Sequence, residues 1–425
     1  MQNSKVATVS VVGLGYIGLP AAAMFASRKV KVIGIDVNQH AIDTINSGKI
    51  HIVEPELDLL VHAAVTEGYL RASTVPEPAE AFVIAVPTPF KGDYEPDLSY
   101  IKAAVSSIAP VLERGNVIIL ESTSPVGTTE QMIKWLTEAR PDLRFPMSAT
   151  DKPDVHIAYC PERVLPGQVV RELVQNDRII GGITPACSER AVDVYRVFVA
   201  GELLVTDART AEMSKLTENA FRDANIAFAN ELSLICDRLN INVWELIKLA
   251  NHHPRVNILQ PGPGVGGHCI AVDPWFIVHS APDVAKLIRQ ARETNNAKPR
   301  WVEGKVVDAI RSVASSQGIS EAAVKVGCFG LAFKANIDDL RESPSLDIVH
   351  TLAKEYRGQL IAVEPNINEL PSSLKDLGVQ LQDIQTAIAE CHVVVMLVDH
   401  QEFMELKPEF RKDQILVDAK GVWLN

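Results

Sequence analysis

The chain has 425 residues, 47% of them hydrophobic and 22% charged, with 53 acidic against 41 basic side chains and a formal net charge of -12. That length exceeds one ordinary domain and predicts two or three, each burying its own core. The acidic balance and the absence of long Lys/Arg runs exclude a nucleic-acid polyanion as main partner, while small anionic ligands stay open because backbone amides bind them without a basic patch.

From Val6 to Ser27 no side chain is charged, yet Gly13, Gly15, Gly18 and Pro20 interrupt the run. The segment therefore reads as a buried strand, turn and helix, and neither a signal peptide nor a membrane partner is expected. The strand covers Val6 to Val12, and Gly13-Leu14-Gly15-Tyr16-Ile17-Gly18 carries GxGxxG spacing before the helical AAAMFAS. A second strand then ends at Asp36. Glycines at these positions permit the tight turn and close pyrophosphate approach, and an acid at that strand end bonds the ribose hydroxyls and repels a 2′-phosphate. NAD is the expected cofactor, bound by this turn and Asp36.

The α/β rhythm continues with AFVIAVPTP (81 to 89) and NVIILESTSPVGTT (116 to 129). Both run into Pro/Thr/Gly loops, which in an open parallel sheet leave the strands on the ligand side, so Thr88 and Thr123 are cofactor-side candidates. Residues 209 to 240 contain neither Gly nor Pro and keep helical spacing, predicting one long helix that forms a spine between domains or subunits. Lys215, Asn219 and Arg222 share one face of it, and an ammonium donor one turn from an amide donor suits an anionic oxygen.

The stretch 262 to 274, GPGVGGHCIAVDP, places Cys269 just beyond a run of glycines, with only His268 between. It reads either as a turn ending in a buried cysteine or as a thiol presented to a ligand. His268 beside it does not suggest a Cys-His dyad, because adjacent side chains seldom face one another. The other cysteines (160, 187, 236, 328 and 391) form no CxxC pair, and His252-His253 lack further ligands, so no disulfide or metal is expected and a reducing cytoplasm fits. After Gly318 the alternation returns in segments 324 to 333, 345 to 356, 359 to 365, 392 to 400 and 415 to 423. The predicted fold is α/β: a Rossmann-like NAD-binding domain (1–205), a central helical domain with the cysteine loop (206–305) and a second Rossmann-like nucleotide-binding domain (306–425).

The motifs GLGYIGLP, STSPVGTT, PERVLPG, EMSKLTENAFR, GPGVGGHC and GLAFKANIDDLRESP, spread along essentially the whole chain, resemble the UDP-glucose/GDP-mannose dehydrogenase family. The resemblance implies NAD-dependent four-electron oxidation of a UDP-sugar C6 alcohol to the acid, in a homodimer, for surface polysaccharide such as enterobacterial common antigen. Cys269 is then the nucleophile, since an aldehyde yields a second hydride only from a tetrahedral adduct, and a thiolate supplies one as a thiohemiacetal. Lys215 and Asn219 hold the oxyanion, Asp273 orients Lys215 or, with Thr123, a water, and Glu162 is the base for thioester hydrolysis. The glycines 264, 266 and 267 let sugar and nicotinamide approach the backbone. The resemblance also implies sugar contacts at Arg163, Val164, Arg222, Gly266, Lys334 and Lys420, a cofactor contact at Arg341, and Arg255 with His253 reaching the partner subunit's substrate.

The glucose branch of the family carries Phe-Pro-Lys-Asp after its cysteine where this chain has Ile270-Ala271-Val272-Asp273. The missing lysine favours an N-acetylhexosamine over glucose. A single-oxidation β-hydroxyacid dehydrogenase shares the first domain and the Lys/Asn helix but not Cys269 or the second nucleotide domain. A non-catalytic nucleotide-sugar sensor would not need the complete set of reactive groups.

Overall fold

Short apolar runs alternating with helices fold as parallel strands covered on both faces, which is why a strand such as Val117–Leu120 is buried at every position. The computed structural model describes residues 6–52, 54–92, 94–165, 167–267 and 269–424. The chain divides into two units, Met1–Glu218 with His279–Pro282 and Asn219–Val278 with Asp283–Asn425.

The first unit holds an eight-stranded sheet in the order Leu203–Asp207, Arg178–Gly182, His156–Tyr159, Val117–Leu120, Ala81–Ile84, Thr8–Val12, Lys31–Ile35, Leu70–Ser73. All neighbours are parallel except Arg178–Gly182 against His156–Tyr159. Successive residues of the central strand feed opposite cores. Val9 and Val11 pack with Leu19 and Phe25, while Val12 packs with Phe82 and Ile84. The sequential winding reverses beside Thr8–Val12, and the crevice at the carboxyl ends of Thr8–Val12 and Ala81–Ile84 is where such sheets take ligands.

The second unit holds five parallel strands in the order Gln380–Leu381, Leu360–Val363, Val326–Phe329, Val393–Met396, Ile415–Asp418. The expected long helix is present as Ala208–Leu239. An equally long helix, Lys286–Gln317, escaped sequence reading because Pro299 interrupts it. A proline inside a helix removes a donor and crowds the preceding turn. Here Val302, Val306, Ile310 and Val313 bury one face of the helix in the core of the five-stranded sheet, and that burial outweighs the local defect. Among the described residues no helix is long and apolar enough to cross a membrane.

Candidate active site

The glycine turn is built as its spacing predicts. Gly13 adopts φ +92°, and a Cβ there would meet Ala85 O at 2.5 Å. A Cβ at Gly18 would lie 1.8 Å from Gly13 O, so helix Gly18–Ser27 can only start this close with glycine. At Gly15 a Cβ would meet nothing within 4 Å. That open approach, before a helix amino end and flanked by Tyr16 and Ile17, fits a pyrophosphate. Asp36 closes the cradle: Leu14 N donates to its Oδ2 at 2.8 Å and Asn38 N to its Oδ1 at 2.9 Å. The carboxylate stays partly exposed, so the arrangement fits the ribose of NAD.

Thr88 and Thr123 lie on the loops after Ala81–Ile84 and Val117–Leu120 and are brought together, Thr88 Oγ1 donating to Thr123 O at 2.5 Å. The second loop is further held by Glu212 of the long helix, which accepts Gly127 N at 2.6 Å and Thr129 N at 2.8 Å. Three residues later on that helix, Lys215 Nζ donates to Glu162 Oε1 at 2.9 Å, and Val164 N donates to Oε2 at 2.9 Å. Both side chains of this pair are buried. Arg163 Nη2 meets Glu218 Oε1 at 2.7 Å. Beneath them lies a buried group the sequence did not suggest. Arg178 Nη1 donates to Glu121 Oε1 at 2.6 Å and stacks on the Tyr195 ring at 4.2 Å, while burial pushes the Glu121 carboxyl up against that pairing. Burial likewise raises the Cys160 thiol far above its ordinary value, as expected for a packing cysteine.

In the second unit Cys269 is exposed, whereas the other five cysteines are buried. Its carbonyl accepts Val272 N at 3.1 Å and Asp273 N at 2.9 Å, tying the thiol-bearing residue to the start of helix Asp273–Ser280. Asp273 Oδ2 accepts Asn219 Nδ2 at 2.5 Å, a partner the sequence did not name. His268 lies outside the described residues.

The glycines are also required by the protein itself, because their missing side chains make room for neighbouring chain. A Cβ at Gly266 would meet Glu342 O at 2.3 Å and Pro344 Cδ at 2.7 Å, one at Gly264 would meet Pro344 Cβ at 2.8 Å, and Gly267 (φ +82°) would meet Phe333 at 3.0 Å. Segment 333 to 344 thus clamps the loop. Any sugar contact at Gly266 falls to its backbone.

The remaining candidates of this unit lie at its surface or beside the loop. Lys420 Nζ pairs with Asp399 at 3.0 Å, and its Cδ lies 3.7 Å from where a Gly262 Cβ would be. Arg341 forks onto Asp339 at 2.8 and 2.6 Å. Lys334, Arg222, His253 and Arg255 are exposed, with Arg255 N donating to His253 Nδ1 at 3.3 Å.

Three segments match the UDP-glucose/GDP-mannose dehydrogenase family: its NAD binding domain at residues 7–199, central domain at 209–297 and UDP binding domain at 327–425. A UDP-N-acetyl-D-mannosamine dehydrogenase of Yersinia pestis is 62% identical over 98% of this chain and 99% of its own. An NDP-N-acetyl-D-galactosaminuronic acid dehydrogenase of Ralstonia nicotianae is 60% identical over 98% and 96%. A solved UDP-D-ManNAc dehydrogenase from Pyrococcus horikoshii superposes with a TM-score of 0.85 at 36% identity, covering 98% of this chain and 96% of that one. The chain belongs to the UDP-glucose/GDP-mannose dehydrogenase family and is an NAD-dependent dehydrogenase.

Proposed function

We propose that the protein oxidises the C6 alcohol of UDP-N-acetyl-D-mannosamine to UDP-N-acetyl-D-mannosaminuronate, in the cytoplasm, through a covalent intermediate on Cys269. One observation carries the reading: of six cysteines only Cys269 is exposed, and it sits on a loop fixed by close backbone packing. Full-length relatedness to the Yersinia enzyme supports the sugar. The division of labour follows segments 1–205 for NAD, 206–305 for chemistry and 306–425 for UDP.

Bound NAD supplies a hydride acceptor, once for each two-electron oxidation. Asn219 and Lys215 stabilise negative charge on O6 as the alcohol loses its proton and hydride. Cys269 Sγ then bonds to the aldehyde carbon, and the resulting thiohemiacetal loses the second hydride to give a thioester. Glu162, held by Lys215 and the Val164 amide, takes a proton from the water that cleaves the thioester and returns the thiol. Asp273 keeps the Asn219 amide aimed. Thr123, Arg163, Val164, Arg222, Gly266, Lys334 and Lys420 contact substrate or water, and Thr88 and Arg341 the cofactor. A panel of UDP-sugars with NAD tests the assignment. The mannosamine epimer should give uronate at the highest kcat/KM, and preference for the galactosamine epimer would move the chain to the Ralstonia activity.

The active form is a homodimer. Phe221, Phe228 and Ile235 stand seven residues apart on the long helix and are 71%, 54% and 45% exposed, an apolar seam of the kind a second copy covers. Arg255, exposed and in no ion pair among the described residues, then serves the partner's sugar with His253. Mixing Arg255→Ala with Cys269→Ala subunits should restore activity at the one hybrid site with both residues intact, and no recovery despite proven subunit exchange rules out the shared site.

A further inference from the structure

A buried polar chain ends on the loop that carries Cys269. Pro261 and Pro263 have no N–H, so Gly262 supplies the only amide donor across these three buried residues. A buried amide requires an acceptor. Asn230 Oδ1, on the long helix, accepts Gly262 N at 2.9 Å. Asn230 Nδ2 in turn donates to Asn295 Oδ1 at 2.9 Å, and Asn295 Nδ2 donates to Asp223 Oδ1 at 2.8 Å. Arg292 Nη1 completes the chain on the same oxygen at 2.6 Å. Asp223, Asn230, Arg292 and Asn295 are all between 0% and 2% exposed.

The chain has one sense only. Asp223 Oδ1 already accepts from Arg292 Nη1, so Asn295 must turn its NH2 toward it and its oxygen toward Asn230. Asn230 must then present its own oxygen to Gly262. A flipped amide at either asparagine would set two donors or two acceptors against one another in a buried interior, each leaving a group unsatisfied. A less demanding hydrophobic packing would serve helix association equally well, since a buried ion pair is weak support for stability. What the polar chain adds is a fixed position for Gly262, and the clamp at Gly264, Gly266 and Gly267 holds the residues that follow.

We infer that Asn230, aligned by Asn295, Asp223 and Arg292, is a positioning residue for the thiol loop. The inference rests on the reading of Cys269 as nucleophile. In the full-length enzyme Asn230→Ala should lower kcat about 10-fold or more with KM for the UDP-sugar changed less, since displacements of an ångström have effects of that order. NAD affinity should hold, and Asn230→Ser, which keeps an acceptor, should recover most of kcat. A folded Asn230→Ala with wild-type kcat overturns the inference. Site-resolved hydrogen exchange on the unaltered enzyme gives an answer even where that variant does not fold. The Gly262 amide should exchange as slowly as the core of the Ala208–Leu239 helix, and exchange as fast as the exposed segment 252–257 overturns the anchoring. Exchange at Gly262 does not depend on thiol chemistry, so uronate formation by Cys269→Ala would remove the nucleophile while leaving the anchoring result standing.

Discussion

The two nucleotide-binding-type units repeat one turn bond for bond, and one of them has closed it. After Thr8–Val12, Gly13 N donates to Ile35 O at 2.7 Å; after Val326–Phe329, Gly330 N donates to Val363 O at 2.8 Å. Leu14 N reaches Asp36 at 2.8 Å and Leu331 N reaches Glu364 at 2.7 Å, with Asn38 N and Asn366 N completing each carboxylate at 2.9 and 3.1 Å. The next position differs. Gly15 leaves open space, whereas Ala332 spends its amide on Glu364 at 3.1 Å and His400 Nε2 covers the same carboxylate at 3.0 Å. The first turn feeds its helix at Gly18, while the second helix begins only at Pro344. The intervening residues supply Phe333, Glu342 and Pro344, the atoms that clamp the glycines before Cys269. Strand, turn and acid are thus a way of joining parallel strands. Only the first turn keeps the open approach and the part-exposed acid that suit a dinucleotide.

The largest contrast should come from Gly15→Val. With nothing in its way the side chain leaves the fold intact but fills the pyrophosphate approach, so Kd for NAD should rise about 100-fold or more. Wild-type affinity by titration would show that the opening is not used. Glu364→Ala should do the reverse, leaving NAD affinity unchanged and costing about 3 kcal/mol in chemical denaturation, because three backbone amides and His400 lose their buried acceptor. The same carboxylate gives a pH signature. Burial pushes it up, but the bonds from His400 and the Leu331 amide outweigh that and hold it below the ordinary 4.5. A depressed carboxyl stabilises the fold above its unfolded value and loses that contribution as pH falls through its folded value. The stability gap between wild type and Glu364→Gln should therefore narrow below pH 4.5. A gap that widens there would mean that Glu364 is not held as its charged form. The smallest effect belongs to Asp36→Ala, which should weaken NAD about 10-fold and relax the discrimination against NADP. An unchanged NAD/NADP ratio would separate Asp36 from the ribose.

These differences also mark what the sequence could disclose. GxGxxG followed by Asp36 is legible because glycine spacing and a strand-end acid are local. The long helix was found to within a residue at each end for the same reason, lacking Gly and Pro throughout. Helix Lys286–Gln317 was hidden by Pro299, since only tertiary burial of its valines overrules the local signal. Glu364 stands at the same strand end as Asp36, but nothing nearby announces His400, which arrives from 36 residues away. The polar chain from Gly262 to Arg292 joins residues up to 72 positions apart, a pairing that no spacing rule encodes. The glycines before Cys269 are legible as a close approach, and the chain itself is packed against them.

One turn stays open and the other is closed; the proposed second oxidation needs Cys269 as nucleophile. Counting NADH formed per UDP-N-acetyl-D-mannosamine consumed tests that most directly. The intact enzyme should give two NADH and the uronate, and Cys269→Ala no uronate, with NAD affinity at the wild-type level. A single NADH per sugar with aldehyde as the product, or full uronate formation without the thiol, would contradict that role of Cys269.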